Sequence, residues 1–343
     1  HDGGVVMKPL RTARRLAKAI EQRFAEPCGV LMYHNIAEVT VDPWDLCVTP
    51  THFAEQLEVL ARCCDVVPLN ELRQSLTKSR AKRPLVAITF DDGYAQNLLA
   101  AKPLLERAGL PATVFITTGQ LDCDREFWWD ELEQLLLHEE PLPMQIEIEI
   151  DGRATTWDLQ DRSAAYLALW HVLQPLAPEQ QTAALDALGA VLGRPAKRRD
   201  SHRSLTAKEL RDLADGGLVQ IGAHTVNHPR LTRCPAETRQ QEVVESKSRL
   251  EALLDRPVTA FAYPFGDHDR NAVRVAADAG FSIACTTEER LVTRRDDPLA
   301  IPRFAVGNWG GEAFNAWMLD RRLVGKANCK AQSRATSRRS PGS

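Results

Sequence analysis

The chain has 343 residues, 44% of them hydrophobic, and a formal net charge of −3. That length can bury a large core and suits one domain with a sizeable insertion, while the near-neutral balance gives the body of the protein no electrostatic case for nucleic acid. No apolar run approaches the roughly 18–20 residues of a transmembrane helix, and no signal-peptide core is seen near the start.

In chain order, residues 8–25 read as a basic amphipathic helix punctuated by Arg11, Arg14, Arg15 and Lys18. Gly29–His34 reads as a strand. Thr51–Cys63, with Phe53, Leu57 and Leu60 at helical spacing, reads as a helix capped by Thr49 or Thr51. Strands at Asp65–Val67 and Leu85–Phe90, a helix over Gln96–Ala108 ending at Gly109, and a strand at Ala112–Ile116 continue the alternation, which argues for a parallel sheet.

Between residues 122 and 203 that rhythm breaks. A helix from Phe127-Trp128-Trp129-Asp130 through His138 comes first. A hairpin of Gln145–Ile150 and Ala154–Trp157 turning at Asp151-Gly152 follows. Two helices, Ala164–Leu176 and Pro178–Leu192, complete the block. The three aromatics suit anchoring to the main domain better than stacking on a ligand. Strand Val219–Gly222, helix Thr238–Leu254 and strand Thr259–Tyr263 then restore the earlier pattern. Past Asp320 the chain carries seven Lys/Arg among Ser, Gly and Pro and reads as a disordered basic tail. The eight cysteines include no Cys-x-x-Cys, so free buried thiols in a reducing cytoplasm are expected. The chain begins at His1, and a segment lost upstream would leave export open.

Chemistry concentrates in two motifs. Thr89-Phe90-Asp91-Asp92-Gly93-Tyr94 places two carboxylates where a strand ends and Gly93 turns the chain. Adjacent acids do not both ionise freely without a cation or a positive partner. His224-Thr225-Val226-Asn227-His228-Pro229 sets two imidazoles four apart, on one face if the turn is helical. A lone Asp-Asp-Gly is usually a turn, and a lone His-x-x-x-His usually a helix face. Together they offer one carboxylate and two imidazoles as ligands, with open positions for water and substrate and a second carboxylate left as base. The constellation is that of a metallohydrolase.

These motifs, with Phe261-Ala262-Tyr263-Pro264-Phe265-Gly266 as a third, resemble those of the polysaccharide deacetylases of carbohydrate esterase family 4, with its nodulation-factor deacetylase homology domain. The resemblance covers residues 28–120 and 205–310. It implies an α/β fold, a distorted (β/α)7-type barrel, here with a mainly helical insertion. The periodicity and composition divide the chain into an N-terminal helix (1–27), the barrel (28–121 and 204–320), an insertion expected to act as lid or substrate wall (122–203) and a tail (321–343). The resemblance implies one divalent metal, Zn²⁺ in first place with Co²⁺, Ni²⁺ or Mn²⁺ as alternatives, on Asp92, His224 and His228. Asp91 resembles the catalytic base, the Phe265 N–H an oxyanion donor, and Tyr94, Tyr263 and Pro264 substrate-contacting positions.

Three departures stand out. The arginine that usually opens the third motif is Ala262, and the usual fourth-motif acid is absent from Ala284-Cys285-Thr286-Thr287. Arg303 is the candidate replacement, a surface arginine being the alternative. The usual C-terminal histidine strand is also missing, and Tyr33-His34 at the front resembles the permuted strand of poly-N-acetylglucosamine deacetylases. That makes His34 the candidate general acid, against a structural histidine. The implied function is hydrolysis of an N-acetyl group on an amino sugar of an oligo- or polysaccharide or its precursor. Deformylation of a lipid-linked amino sugar and a non-catalytic carbohydrate-binding descendant are the alternatives. Expected partners are an N-acetylated carbohydrate and, peripherally, a membrane surface met by the basic termini.

Overall fold

The computed structural model describes residues 27–78 and 83–325. The amphipathic helix expected at residues 8–25, Cys329 and the tail from residue 326 onward lie outside them. A parallel sheet organises the chain: β1 (Cys28–Tyr33), β3 (Leu85–Phe90), β4 (Ala112–Ile116), β7 (Val219–Ala223), β8 (Ala260–Ala262) and β9 (Ile283–Cys285). A seventh strand, β10 (Phe304–Ala305), lies outside β1, and β2 (Asp65–Val66) pairs with the start of β3 off this path. The expected seven-stranded α/β barrel architecture is therefore present.

The two sheet edges meet through one segment. Ile301 bridges Cys285 of β9, and three residues on, Phe304 sits in register with Leu31 of β1. The strands are mostly apolar, β1, β3 and β4 being fully buried, because both faces of a parallel sheet are covered. The helices between them pack their apolar stripes outside. Helix α1 (Pro50–Cys63) is capped by the Thr49 side chain and buries Phe53, Leu57 and Leu60. Four more are α2 (Leu72–Lys78), α3 (Lys102–Ala108), α7 (Ala207–Ala214) and α8 (Ala236–Leu254). Helix α3 is preceded by a π-helical turn at Asn97–Ala101 and stopped by left-handed Gly109. Helices α9 (Arg270–Asp278) and α10 (Gly311–Asp320) complete the set.

Register decides what reaches the rim. Tyr33 pairs with Phe90, Phe90 with Val114, Ile116 with Ala223, and Ala262 with Cys285. The residues just beyond those pairs, His34, Asp91, Asp92, His224 and Thr286, therefore collect at one end, the C-terminal end at which barrel active sites are built.

Residues 122–203 leave that same end after β4. They form α4 (Trp128–Leu136), the antiparallel hairpin β5 (Gln145–Ile150) and β6 (Arg153–Asp158), α5 (Arg162–Leu173) and α6 (Pro178–Val191). Asp151 and Gly152 both take positive φ at the hairpin turn, the two-residue geometry that matches strand twist. Ile146, Ile148 and Ile150 alternate inward against Phe127, Trp129, Tyr166 and Leu185, a core separate from that of the barrel. Phe127 and Trp129 stack at 4.5 Å and are buried, so these rings anchor the insertion. None of the seven described cysteines forms a disulfide, and five of them are buried.

Candidate active site and metal-ligating cluster

Asp91 and Asp92 follow β3 directly and diverge because the backbone reverses between them. Asp92 has φ 73° and Gly93 φ 88°. A Cβ at residue 93 would lie 3.0 Å from Ile116 Cδ1, so glycine is needed for the turn as well as the space.

Asp91 points to Arg303. The guanidinium donates Nη1 to Oδ1 and Nη2 to Oδ2, both at 2.7 Å, in the bidentate fork that suits a carboxylate. Arg303 is wholly buried, donates Nε–H to the Thr286 carbonyl at 2.9 Å, and reaches Thr89 Oγ1 at 3.2 Å. The stretch that lacks the expected fourth-motif acid thus supplies a backbone carbonyl in its place. Burial alone would raise the Asp91 carboxyl. Arg303, followed by His224 and His34, outweighs that and holds it well below the usual carboxylate range.

Asp92 faces the other way. Its Oδ1 lies 3.5 Å from His224 Nε2 and 3.4 Å from His228 Nε2. Those three residues offer ligand atoms within 4.8 Å of one another and are all buried. The His224 Nδ1–H donates to the Ala262 carbonyl at 2.8 Å, which turns the Nε2 lone pair inward. Burial, then the neighbouring Asp91 charge, pushes the Asp92 carboxyl well above its ordinary value. Burial lowers both histidines, His228 further because His224 stands beside it. Three acceptor lone pairs thus converge where neither imidazole favours a proton. A divalent cation satisfies such a donor set, and mixed carboxylate–imidazole ligation suits Zn²⁺, Co²⁺, Ni²⁺ and Mn²⁺ alike.

The two imidazoles converge through a loop, and the helical turn considered from their spacing does not form. Thr225 and His228 both take positive φ, 65° and 59°. Three devices hold this strained loop. Thr225 Oγ1 accepts the His228 N–H at 3.0 Å. The buried Glu242 of α8 accepts from the Val226 and Asn227 N–H groups and from the Asn227 amide, each at 2.8 Å. Gly119 donates to the Val226 carbonyl at 2.7 Å, where a Cβ would lie 2.5 Å from that oxygen. Neither Glu242 nor Gly119 carried a motif, because their partners are backbone groups with no sequence signature.

His34 follows β1, its carbonyl accepting from Asn97 Nδ2 at 2.8 Å. Its ring is half-buried and no described residue hydrogen-bonds it. Burial pushes its pKa down to about 4, Asp91 pulling upward and Arg303 and His224 adding to the fall. Phe265 has φ 57° within the Pro264–Gly266 turn, and no described group accepts its N–H. Its ring lies 4.6 Å from His228.

The two tyrosines expected to touch substrate are used internally. The Tyr94 hydroxyl donates to Asp130 at 2.8 Å and accepts from Trp129 Nε1 at 3.1 Å, locking the insertion to the barrel. The Tyr263 hydroxyl donates to the Leu299 carbonyl at 2.9 Å. Pro264 is buried beneath the turn it starts. The insertion does reach the site by another ring, Trp129, 4.9 Å from His228.

The family model for polysaccharide deacetylase matches residues 78–140 and 170–284. The chain belongs to the polysaccharide deacetylase family, enzymes that deacetylate carbohydrates. YxkH of Bacillus subtilis (strain 168), which bears the same family designation, is 21% identical over 293 residues, 84% of this chain and 75% of that protein. The deacetylase PplD of Streptococcus pyogenes, solved in complex with acetate, aligns with a TM-score of 0.57 at 19% identity, covering 86% of this chain and 98% of that one. IcaB from Ammonifex degensii aligns at 0.55 with 16% identity, covering 85% and 97%. At these identities the structures attest the fold.

Proposed function

We propose that the protein is a metal-dependent hydrolase that removes an N-acetyl group from an amino sugar in an oligo- or polysaccharide or its precursor. The observation that carries this is the division of labour between the two adjacent acids. Asp91 is held ionised by a bidentate arginine, while Asp92 has two inward-turned imidazoles and no arginine. A binding module has no need of a base kept ionised beside a ligand set, which disfavours the non-catalytic reading.

A divalent cation held by Asp92, His224 and His228 would supply Lewis acidity, lowering the pKa of a water and polarising the acyl carbonyl. Asp91 accepts that water's proton, Arg303 fixing both carboxylate oxygens so that the base keeps its direction. The Phe265 N–H donates to the oxygen on which charge develops. His34 protonates the departing amine. Its ring starts neutral at pH 7, so the proton it delivers is the one that Asp91 takes from water. This gives free amine and acetic acid, and the acid's own proton then passes to the amine to leave acetate and a protonated amino sugar.

The test is release of acetate, with formate measured in parallel, from N-acetylglucosamine oligosaccharides by metal-loaded protein. Acetate is expected from wild type, and bound metal is expected to be lost in His228→Ala. Formate release alone would favour the deformylase. Unchanged metal content in the variant would remove this ligand set. His34→Ala should lower kcat by roughly 10²–10⁴-fold on the amide and by less on an activated ester, whose leaving group needs no proton. Equal losses on both would return His34 to a structural role.

A further inference from the structure

Beyond the ligand set, the loop after His228 carries cations that the proposed chemistry leaves unused. Arg230 places its guanidinium carbon 4.5 Å from the centroid of the Phe265 ring. That ring in turn lies 4.6 Å from His228 and 5.9 Å from Trp170 of the insertion. Arg230 is half-buried, yet among the described residues no carboxylate pairs with it and no acceptor meets its side chain. Arg233, at the other end of the same short turn, is exposed and also has no acid partner among the described residues. Its side chain reaches Gln174 Oε1 at 3.5 Å, at the end of insertion helix α5. Asp267, the carboxylate that meets this turn, is spent on the Thr232 N–H and hydroxyl.

A guanidinium stacked on an aromatic face uses its π surface and leaves its N–H donors pointing outward in the ring-parallel plane. Those donors form the fork that fits two oxygens of a phosphoryl or carboxylate group. Seated over the Phe265 ring, the Arg230 guanidinium is already partly held, so less side-chain freedom is lost when an anion binds.

We propose that Arg230, supported by Arg233, binds an anionic group carried by the substrate sugar, so that the enzyme selects phosphorylated or uronate-containing N-acetylated carbohydrate over neutral chains. The inference rests on the deacetylase reading and sharpens it to a substrate class. A sugar seated with its acetamido group at Asp91 and Asp92 extends along Phe265 toward this fork. The half-buried Phe265 ring lines that path. The source of charge, phosphoryl or carboxylate, is a matter for two separate probes.

The experiment compares wild type, Arg230→Gln and Arg230→Lys, all metal-loaded, on neutral N-acetylglucosamine oligosaccharide, N-acetylglucosamine 1-phosphate and an N-acetylglucosamine–glucuronate disaccharide. Arg230→Gln should reduce kcat/KM for a charged probe about tenfold more than for the neutral one, the scale of one charge-assisted contact. Arg230→Lys should recover part of that difference. Whichever charged probe shows the larger ratio identifies the group. Equal losses on neutral and charged probes, with a lowered Tm, would overturn the proposal and make Arg230 a support for the Phe265 turn. Should no probe be turned over, calorimetric binding separates this inference from the reading beneath it. Arg230-dependent binding of a charged probe without acetate release would sink the activity and keep the site. Charged probes that bind wild type and Arg230→Gln equally, or bind neither, would sink the site.

Discussion

The barrel rim and the insertion both bury charge, and they treat it in opposite ways. In the insertion, Arg199 meets Glu126 and Glu133 at 2.7 Å each, and its fork also donates to the Asp130 carbonyl at 3.0 Å. Both carboxylates are almost wholly buried. This network joins residues 197–203 to α4, and each of the two carboxylates meets the guanidinium directly. At the rim, one acid is matched by Arg303, and the acid beside it is left with imidazole lone pairs. Burying an unmatched charge costs several kcal/mol unless something binds there. Matched burial organises a structure, and unmatched burial at a barrel mouth marks where a ligand belongs.

Breaking the rim should cost chemistry first. Asp91→Asn is expected to lower kcat by at least roughly 10²–10⁴-fold, the scale of a lost general base. It should leave metal stoichiometry unchanged, because Asp91 is placed outside the ligand set. Loss of metal from this variant, with metal retained by Asp92→Asn, would exchange the roles of the two acids.

Arg303→Met tests the matched half of the rim. Removing one member of a buried pair should destabilise the fold by about 3–5 kcal/mol. The pH dependence has a defined sign. Asp91 is held below its unfolded value of about 3.9, so its pairing stabilises wild type fully above about pH 4 and less as pH falls through the folded pKa. Without Arg303, burial instead raises the Asp91 carboxyl, and ionising it above pH 4 destabilises the variant. The stability gap in urea titrations should therefore widen from pH 4 to pH 7. A gap independent of pH would mean that the pair is not the source of the loss.

Arg199→Met is the corresponding break in the insertion. Two buried carboxylates lose their partner, with an expected local cost of about 3 kcal/mol. Hydrogen exchange should accelerate in α4 and the 197–203 segment while β3, β4 and β7 stay protected. Equal acceleration in the barrel strands would show that the two cores unfold as one.

Glu242→Gln is the mildest change. One acceptor oxygen remains for the Val226 and Asn227 N–H groups, so stability should fall by about 1 kcal/mol. Metal affinity, read by chelator competition, should weaken about tenfold, as for other groups that orient a ligand without touching the ion. Unchanged affinity would mean that the positive-φ loop holds His228 without help.

Much of the barrel was legible because its signals are local. Apolar strands β3, β4 and β7, the Thr49 cap of α1, left-handed Gly109 and the Asp151-Gly152 hairpin turn all appear close to where their residue types place them. Helices α7 and α9 were not anticipated, although Thr206 and Glu209 form a capping box and Asp269 caps the other. Strands β9 and β10, of three and two residues, are too short for periodicity to register.

The motifs alone determined which residue types were available for the chemistry: two adjacent acids at a strand end, two histidines four apart, and a strand ending in histidine at the front of the chain. Tertiary structure decided what each one meets. Arg303 reaches Asp91 across 212 residues only because the Ile301–Ala305 segment touches β9 at one end and β1 at the other. The same closure carries Thr286 to Arg303, so a carbonyl stands where an acid was missed. Tyr94, drawn toward Asp130 and Trp129 of the insertion, commits its hydroxyl to hydrogen bonds with them. Local propensity is set by neighbours in the chain. Pairing of charges and lone pairs is set by barrel closure, which brings together residues whose separation no local pattern encodes.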